Sequence, residues 1–192
     1  MTNPSLLDVN DSVLIVIDIQ PSFVKKENPI NDNPLLQRMC WVIKVANWLN
    51  VPLIVTAEDI SHTGNISPEV AQVLPPNTKI YTNMIFGLTA QSDILEAVQE
   101  THRKTAVLIG YETDVCITHS ALGLLDLGYR VVVVADATGS PGSNHIFGLE
   151  RIRSAGGIII RAKGLYYEWI RTVAKSNEFE ELKISTPKGI IL

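Results

Sequence analysis

Thr105-Ala-Val-Leu-Ile-Gly110, Tyr111-Glu-Thr-Asp-Val-Cys-Ile-Thr-His-Ser120 and Arg130-Val-Val-Val-Val-Ala-Asp136 make up the stretch from which the fold is read. The two outer pieces are short, apolar and rich in β-branched residues. Such runs predict strands buried on both faces. Between them, residues 114–127 read as a helix that stops at Gly128, the residue type favoured just past a helix end. Strand, turn, helix and strand in succession form one step of a parallel sheet.

The same alternation extends in both directions. Residues 12–18, 51–56, 79–82 and 158–161 are the further predicted strands. Pro52 falls at the start of its strand, where a missing N–H is tolerated. Residues 33–50 carry apolar side chains at helical spacing, with Asn33 as N-cap and Pro34 at the first helical position. Residues 92–102, 144–155 and 165–175 read as helices, 57–78 as loop, and the polar tail from Ser176 as irregular. The expected fold class is α/β: one domain over residues 1–192, a doubly wound, mostly parallel sheet with helices on both faces, in three Rossmann-like layers.

Composition narrows the functions this fold could serve. The chain has 192 residues, 16 Lys and Arg, 20 Asp and Glu, and a formal net charge of −4. Without a basic run, nucleic acid is not expected as a partner. No apolar run approaches the ~20 residues of a membrane span, and the N-terminal stretch from Met1 has no basic or apolar leader, so a cytoplasmic protein is expected. Two cysteines, Cys40 and Cys116, make no disulfide framework. Four histidines (His62, His102, His119, His145) stand at no zinc-ligand spacing. No G-x-G-x-x-G follows the first strand, so no dinucleotide cofactor is expected.

Ligands of doubly wound sheets bind beyond the carboxyl ends of the strands, near the point where strand order reverses. That rule selects Asp18, Glu58, Asp59, residues 111–116 and Asp136. Asp18 could be a base, a ribose anchor, a metal ligand or a loop-capping carboxylate. Cys116 falls in the first turn of a helix, where N–H groups and the helix dipole favour a thiolate and could hold an oxyanion. A buried, inert cysteine is the alternative. Cys40, mid-helix among apolar residues, reads as core. His119, three residues past Cys116, shares its helix face and could act as a base, or simply pack against the neighbouring helix.

Three segments together resemble the isochorismatase-like cysteine hydrolases, relatives of nicotinamidase and N-carbamoylsarcosine amidohydrolase. They are residues 14–23 (hydrophobic-D-x-Q-x-x-F), 110–121 (G-x-x-T-x-x-C) and 127–138 (a strand ending in D-A). The resemblance implies an Asp–Lys–Cys triad, with Asp18 as base and Cys116 as nucleophile. It further implies an oxyanion hole from the backbone N–H groups of Glu112 and Cys116, beside a cis Tyr111–Glu112 bond. The substrate implied is a small amide- or carbamoyl-type molecule cleaved through a thioester acyl-enzyme. A homodimer or homotetramer is implied as well, with the aromatic segment from Leu165 either at its interface or packed within the monomer.

At the position the family gives to lysine, this sequence has Asn83. An amide donates a hydrogen bond without a charge, so both Asp18 and Cys116 should titrate higher than in the family pattern. Lys25, Lys26 or His119 could compensate. Lys79 lies four residues away, ~13 Å along a strand. The D-x-H metal pattern of nicotinamidases is absent, since His62 is one position off, and no metal or other cofactor is expected. Phe23, Glu58, Phe86 and Tyr111 are candidate pocket walls. Two further readings remain: a family member that binds a small ligand without hydrolysing it, suggested by Asn83, and an isochorismatase-type vinyl-ether hydrolase, against which Cys116 counts.

Overall fold

The computed structural model describes residues 5–27 and 33–192. The first four residues of the N-terminal stretch read for a leader lie outside them. Six strands form the sheet: β1 (Ser12–Ile17), β2 (Leu53–Glu58), β3 (Ile80–Asn83), β4 (Thr105–Tyr111), β5 (Arg130–Gly139) and β6 (Ile158–Ile160). Their order is β3-β2-β1-β4-β5-β6 and every pairing is parallel. Order therefore reverses between β1 and β4, which is the doubly wound arrangement expected from the sequence.

Alternation along the central strands divides the core in two. Leu14 and Val16 of β1, with Val107 and Ile109 of β4, pack against α2 (Pro34–Trp48) and α8 (Ala162–Ile170). Val13, Ile15 and Ile17, with Ala106 and Leu108, face α5 (Ser92–Glu100) and α6 (Thr118–Asp126) on the other side. All nine of those strand residues are essentially inaccessible to solvent, which is why both strands read as unbroken apolar runs. The Asn33 side chain accepts from the N–H groups of Leu35 and Leu36, and so caps α2 as its sequence predicts.

Several elements depart from the sequence reading. α1 (Pro21–Glu27) occupies the segment after Asp18, and the loop expected over 57–78 contains α3 (Ile60–Thr63) and α4 (Pro68–Ala71). The helix expected over 114–127 begins as a π-helical turn, Thr113–Ile117, before α6 takes over. α7 (Asn144–Ser154) lies close to its expected limits. β5 continues three residues past Asp136, and its register against β4 shifts between Leu108 and Gly110. That irregularity accommodates Asp136, whose Oδ1 accepts from the Ala162 N–H at 2.7 Å and whose Oδ2 meets Arg161. Asp136 is therefore a cap for α8.

The expected 165–175 helix is two helices. Arg171 turns the chain with φ 62°, and α9 (Val173–Glu181) starts at Thr172, whose hydroxyl accepts from the Lys175 N–H. α9 docks through Phe179 against Trp41, Trp48 and Tyr166. Leu165, Tyr166 and Trp169 are thus core residues of this chain, while Tyr167 stays exposed. Cys40, expected in the core, is half-buried and lines a cavity of about 380 Å³ with Trp41, Lys44 and Glu69. Among the described residues no helix is long and apolar enough to cross a membrane.

Candidate active site

The site is assembled where β1 and β4 end side by side. Gly110 has φ +124°, and a Cβ there would lie 1.8 Å from the carbonyl oxygen of Ile17. Only glycine lets the two strand ends approach this closely. The next residue on β1 is Asp18, itself left-handed at φ 51°, a conformation that aspartate tolerates better than most residues. Beyond β4 comes a cis Tyr111–Glu112 peptide bond, as the resemblance implies, and then the π-turn that carries Cys116.

Asp18 is fully buried. Thr56 Oγ1 donates to its Oδ1 at 2.9 Å and Asn83 Nδ2 to its Oδ2 at 3.2 Å. The Cys116 sulfur lies within 4.8 Å of one of its oxygens. Burial is the largest influence on this carboxyl and raises its pKa to about 6; the polar contacts with Thr56, Cys116 and Asn83 oppose the rise and the charge of Glu58 adds to it.

Cys116 is 2% exposed. Burial pushes its thiol up strongly, the charge of Asp18 and the polar contact with it push further, as does Glu58, and the Glu112 N–H opposes them. The sequence argument from the helix N-terminus pointed towards a thiolate. Burial beside two carboxylates outweighs it.

Glu58 completes the cluster. A carboxylate oxygen of Asp18, one of Glu58 and the Cys116 sulfur lie within 4.8 Å of one another. Gln20 holds Glu58 in place. Its Oε1 accepts from the Glu58 N–H at 2.8 Å, and its Nε2 donates to the carbonyls of Glu58 (2.8 Å) and Gly64 (2.6 Å). Gln20 and Thr56 carried no role in the sequence reading. Gln20 stands in the first motif, so a buried amide two residues past Asp18 was the available signal. Thr56 has no comparable signal.

The turn under Cys116 is braced from α7. A Cβ on Gly148 would lie 2.8 Å from the Thr113 carbonyl and the Asp114 nitrogen, so α7 rests directly on the turn. The Thr113 hydroxyl and His145 Nδ1 are 2.9 Å apart, and the Thr118 hydroxyl donates to the Thr113 carbonyl. Partial burial holds His145 below the usual histidine range.

The remaining candidates divide. Phe23 and Tyr111 belong to the hydrophobic core, which is their packing alternative. Phe86 is exposed and meets the ring of His119 edge-on at 6.4 Å, so His119 lies at the surface beside it. Lys26 Nζ is 3.7 Å from Glu112 Oε1 and 4.7 Å from the centre of the Phe23 ring. Lys79 Nζ sits over Tyr81. Lys25 is exposed on α1, and so is His62 on α3. Asp59 Oδ1 accepts from the hydroxyl of Ser61. Of the cations considered for the place of lysine, Lys26 reaches the rim of the site at Glu112, and Asp18 faces Asn83.

The fold and this strand-end cluster define an α/β protein of the doubly wound class, with a carboxylate and a thiol joined at the switch point. Within that class, the isochorismatase domain model matches residues 12–164, and the chain belongs to the isochorismatase family, a family of hydrolases. It is 28% identical over 181 residues to isochorismatase family protein 1A of Dictyostelium discoideum, across 92% of this chain and 86% of that one. It is 31% identical over 177 residues to the secreted isochorismatase effector Isc1 of Phytophthora sojae strain P6497, across 90% and 83%. Among solved structures, YcaC of Escherichia coli, described as an octameric hydrolase of unknown specificity, has the same fold. The two superpose with a TM-score of 0.83 at 21% identity, across 95% of this chain and 97% of that one.

Proposed function

We propose that this protein is a cysteine hydrolase of a small amide- or carbamoyl-type substrate. The observation that carries the reading is the buried Asp18 carboxyl group within 4.8 Å of the buried Cys116 sulfur at the switch point of the sheet. Because burial holds the thiol protonated, the proton leaves Sγ for Asp18 as Sγ attacks the carbonyl carbon, rather than beforehand. The oxyanion is met by the backbone N–H groups of Glu112 and Cys116. Asp18 then returns the proton to the leaving nitrogen as the C–N bond breaks, which leaves a thioester. Water adds to the thioester while Asp18 accepts its proton, and the acid or carbamate product leaves with Sγ–H restored.

Asn83 occupies the side of Asp18 where the family resemblance puts lysine. It orients the carboxylate through Nδ2 and brings no charge to offset a developing thiolate. Turnover is therefore slow relative to a lysine-bearing site. This same contact favours the second reading, a family member that binds a small ligand without cleaving it. Ammonia release from a panel of small amides and carbamoyl compounds, with mass spectrometry of the quenched protein, tests both. A substrate-dependent mass increase on Cys116, lost in Cys116→Ala and in Asp18→Asn, is expected, and Asn83→Lys should raise the rate. Ligand binding with no adduct and no ammonia, unchanged by Asn83→Lys, would overturn the hydrolase reading in favour of the second.

The protein also works as a homo-oligomer in this reading. Met84, Ile85 and Phe86 after β3, and Ile146 and Phe147 at the start of α7, are exposed apolar residues at the carboxyl end of the sheet. The octameric state of Escherichia coli YcaC supports a second copy of the chain as their cover.

A further inference from the structure

We infer that Asp18, Glu58 and Cys116 form a reversible site for a thiophilic divalent cation of the zinc class, and that its occupancy blocks the nucleophile. Three potential ligand atoms, two carboxylate oxygens and one sulfur, already lie within 4.8 Å of one another. Small side-chain rotations close that spacing to a coordination shell. A fourth donor stands beside them. Asn83 is 4% exposed, its amide head abuts Asp18, and its Oδ1 has no hydrogen-bond partner. Asn83 and Glu58 are register partners on adjacent parallel strands, so their side chains leave the sheet on the same side. An amide oxygen without a donor, on a side chain hydrogen-bonded to Asp18, is a group that a cation satisfies and a further hydrogen-bond acceptor does not.

The charge pattern points the same way. Two carboxylates and a thiol share the cluster, and Lys26 is engaged at the rim with Glu112 and Phe23. The mixture of one sulfur with carboxylate and amide oxygens suits zinc or cobalt(II) and does not suit magnesium or calcium, which take oxygen alone. Binding breaks the Sγ–H bond of Cys116, sends the proton to solvent and forms an Sγ–metal bond. The sulfur lone pair that would attack a carbonyl is then committed to the metal. Glu58 is partly exposed, while Asp18 and Cys116 are buried, so the cation enters past Glu58.

This inference rests on the reading of Cys116 as the site's thiol, and it is tested without substrate. Metal-stripped full-length protein is titrated with cobalt(II), with the thiolate-to-cobalt charge-transfer band in the near ultraviolet as the signal. The band should saturate at a single equivalent, vanish in Cys116→Ser and persist in Cys40→Ser. Glu58→Gln should weaken cobalt binding about tenfold or more, in line with the loss of a metal-site group. Zinc should displace the cobalt and slow alkylation of Cys116 by iodoacetamide by about the same factor. No band at millimolar cobalt, or a band that survives Cys116→Ser, overturns the site. Alkylation of Cys116 in the metal-free protein separates the two ideas. A reactive thiol with no cobalt band removes only the metal site, whereas a cobalt band with an inert thiol removes only the hydrolase.

Discussion

Asp18 carries two demands at one atom pair: it must accept a proton, and it must sit inside the protein. Its folded pKa of about 6 stands above the ordinary carboxyl value of 3.8. The native state therefore binds the proton more tightly than the unfolded chain. With regard to this group, stability is greatest below about pH 4 and is lost as pH rises through about 6. Above that window the cost of the buried charge is on the order of 3 kcal/mol, at about 1.4 kcal/mol per pH unit. Asp18→Asn removes the charge and keeps the shape. Its Oδ1 still accepts from Thr56, and the Asn83 amide can turn so that its partnerless Oδ1 accepts from the new amide. In the presence of a chelator, this variant should be more stable than the native protein by about 1–3 kcal/mol at pH 8, with the gain gone near pH 4. Urea denaturation at both pH values decides it; an equal difference at the two would show that charge burial is not the cause. Asp18 and Cys116 were legible because each stands just past a strand end and inside a motif. The upward direction of the Cys116 thiol comes from burial and the neighbouring carboxylates, which a local helix pattern does not show.

Elements were legible where one apolar period dominated. β1 and β4 are buried on both faces, so their runs admit no other reading. α9 has one buried residue, Phe179, in nine, and no apolar stripe announces it; its position is decided by the left-handed Arg171 and the aromatic cluster it completes. α1 was missed because it is only seven residues long, too short for an apolar period to show, and the end of β5 because Asp136 inside a strand argues locally for a stop. Between elements, Gln20 ties the start of α1 to the end of β2 through three hydrogen bonds with backbone groups. Gln20→Leu leaves those groups without partners in a buried setting, at a cost of about 1–3 kcal/mol. Because the ties fix Glu58, the same substitution should also weaken cobalt binding in proportion to Glu58→Gln. A variant that loses stability but keeps its full cobalt affinity would show that Gln20 braces the fold without positioning Glu58.

At the scale of the molecule, both faces of the sheet are covered within the chain, and the apolar surface left over is not spread evenly. The turn after β3 exposes Met84, Ile85 and Phe86 in succession, each 47–66% accessible, and the first turns of α7 expose Ile146 and Phe147. Both groups flank the strand-end cluster, one through β3 and Asn83, the other through α7 and the Thr113–Ile117 turn that it braces. Single exposed apolar residues are ordinary on a protein surface, but three in a row beside a site imply a cover. Of the C-terminal aromatics, Tyr166, Trp169 and Phe179 are spent on the chain's own core, and Tyr167 stays exposed. A second copy seated on these residues would border the site and limit access to Glu58. Sedimentation velocity should accordingly show the native protein as an oligomer, and Ile146→Ser combined with Phe147→Ser should shift it towards the monomer. Since these side chains are already exposed within the monomer, the urea stability of the variant measured as a monomer should stay within about 0.5 kcal/mol of the value extrapolated for the native monomer. A native protein that sediments as a monomer at all concentrations, or a variant that keeps the native mass, would place the interface elsewhere and leave the rim of the site open to solvent.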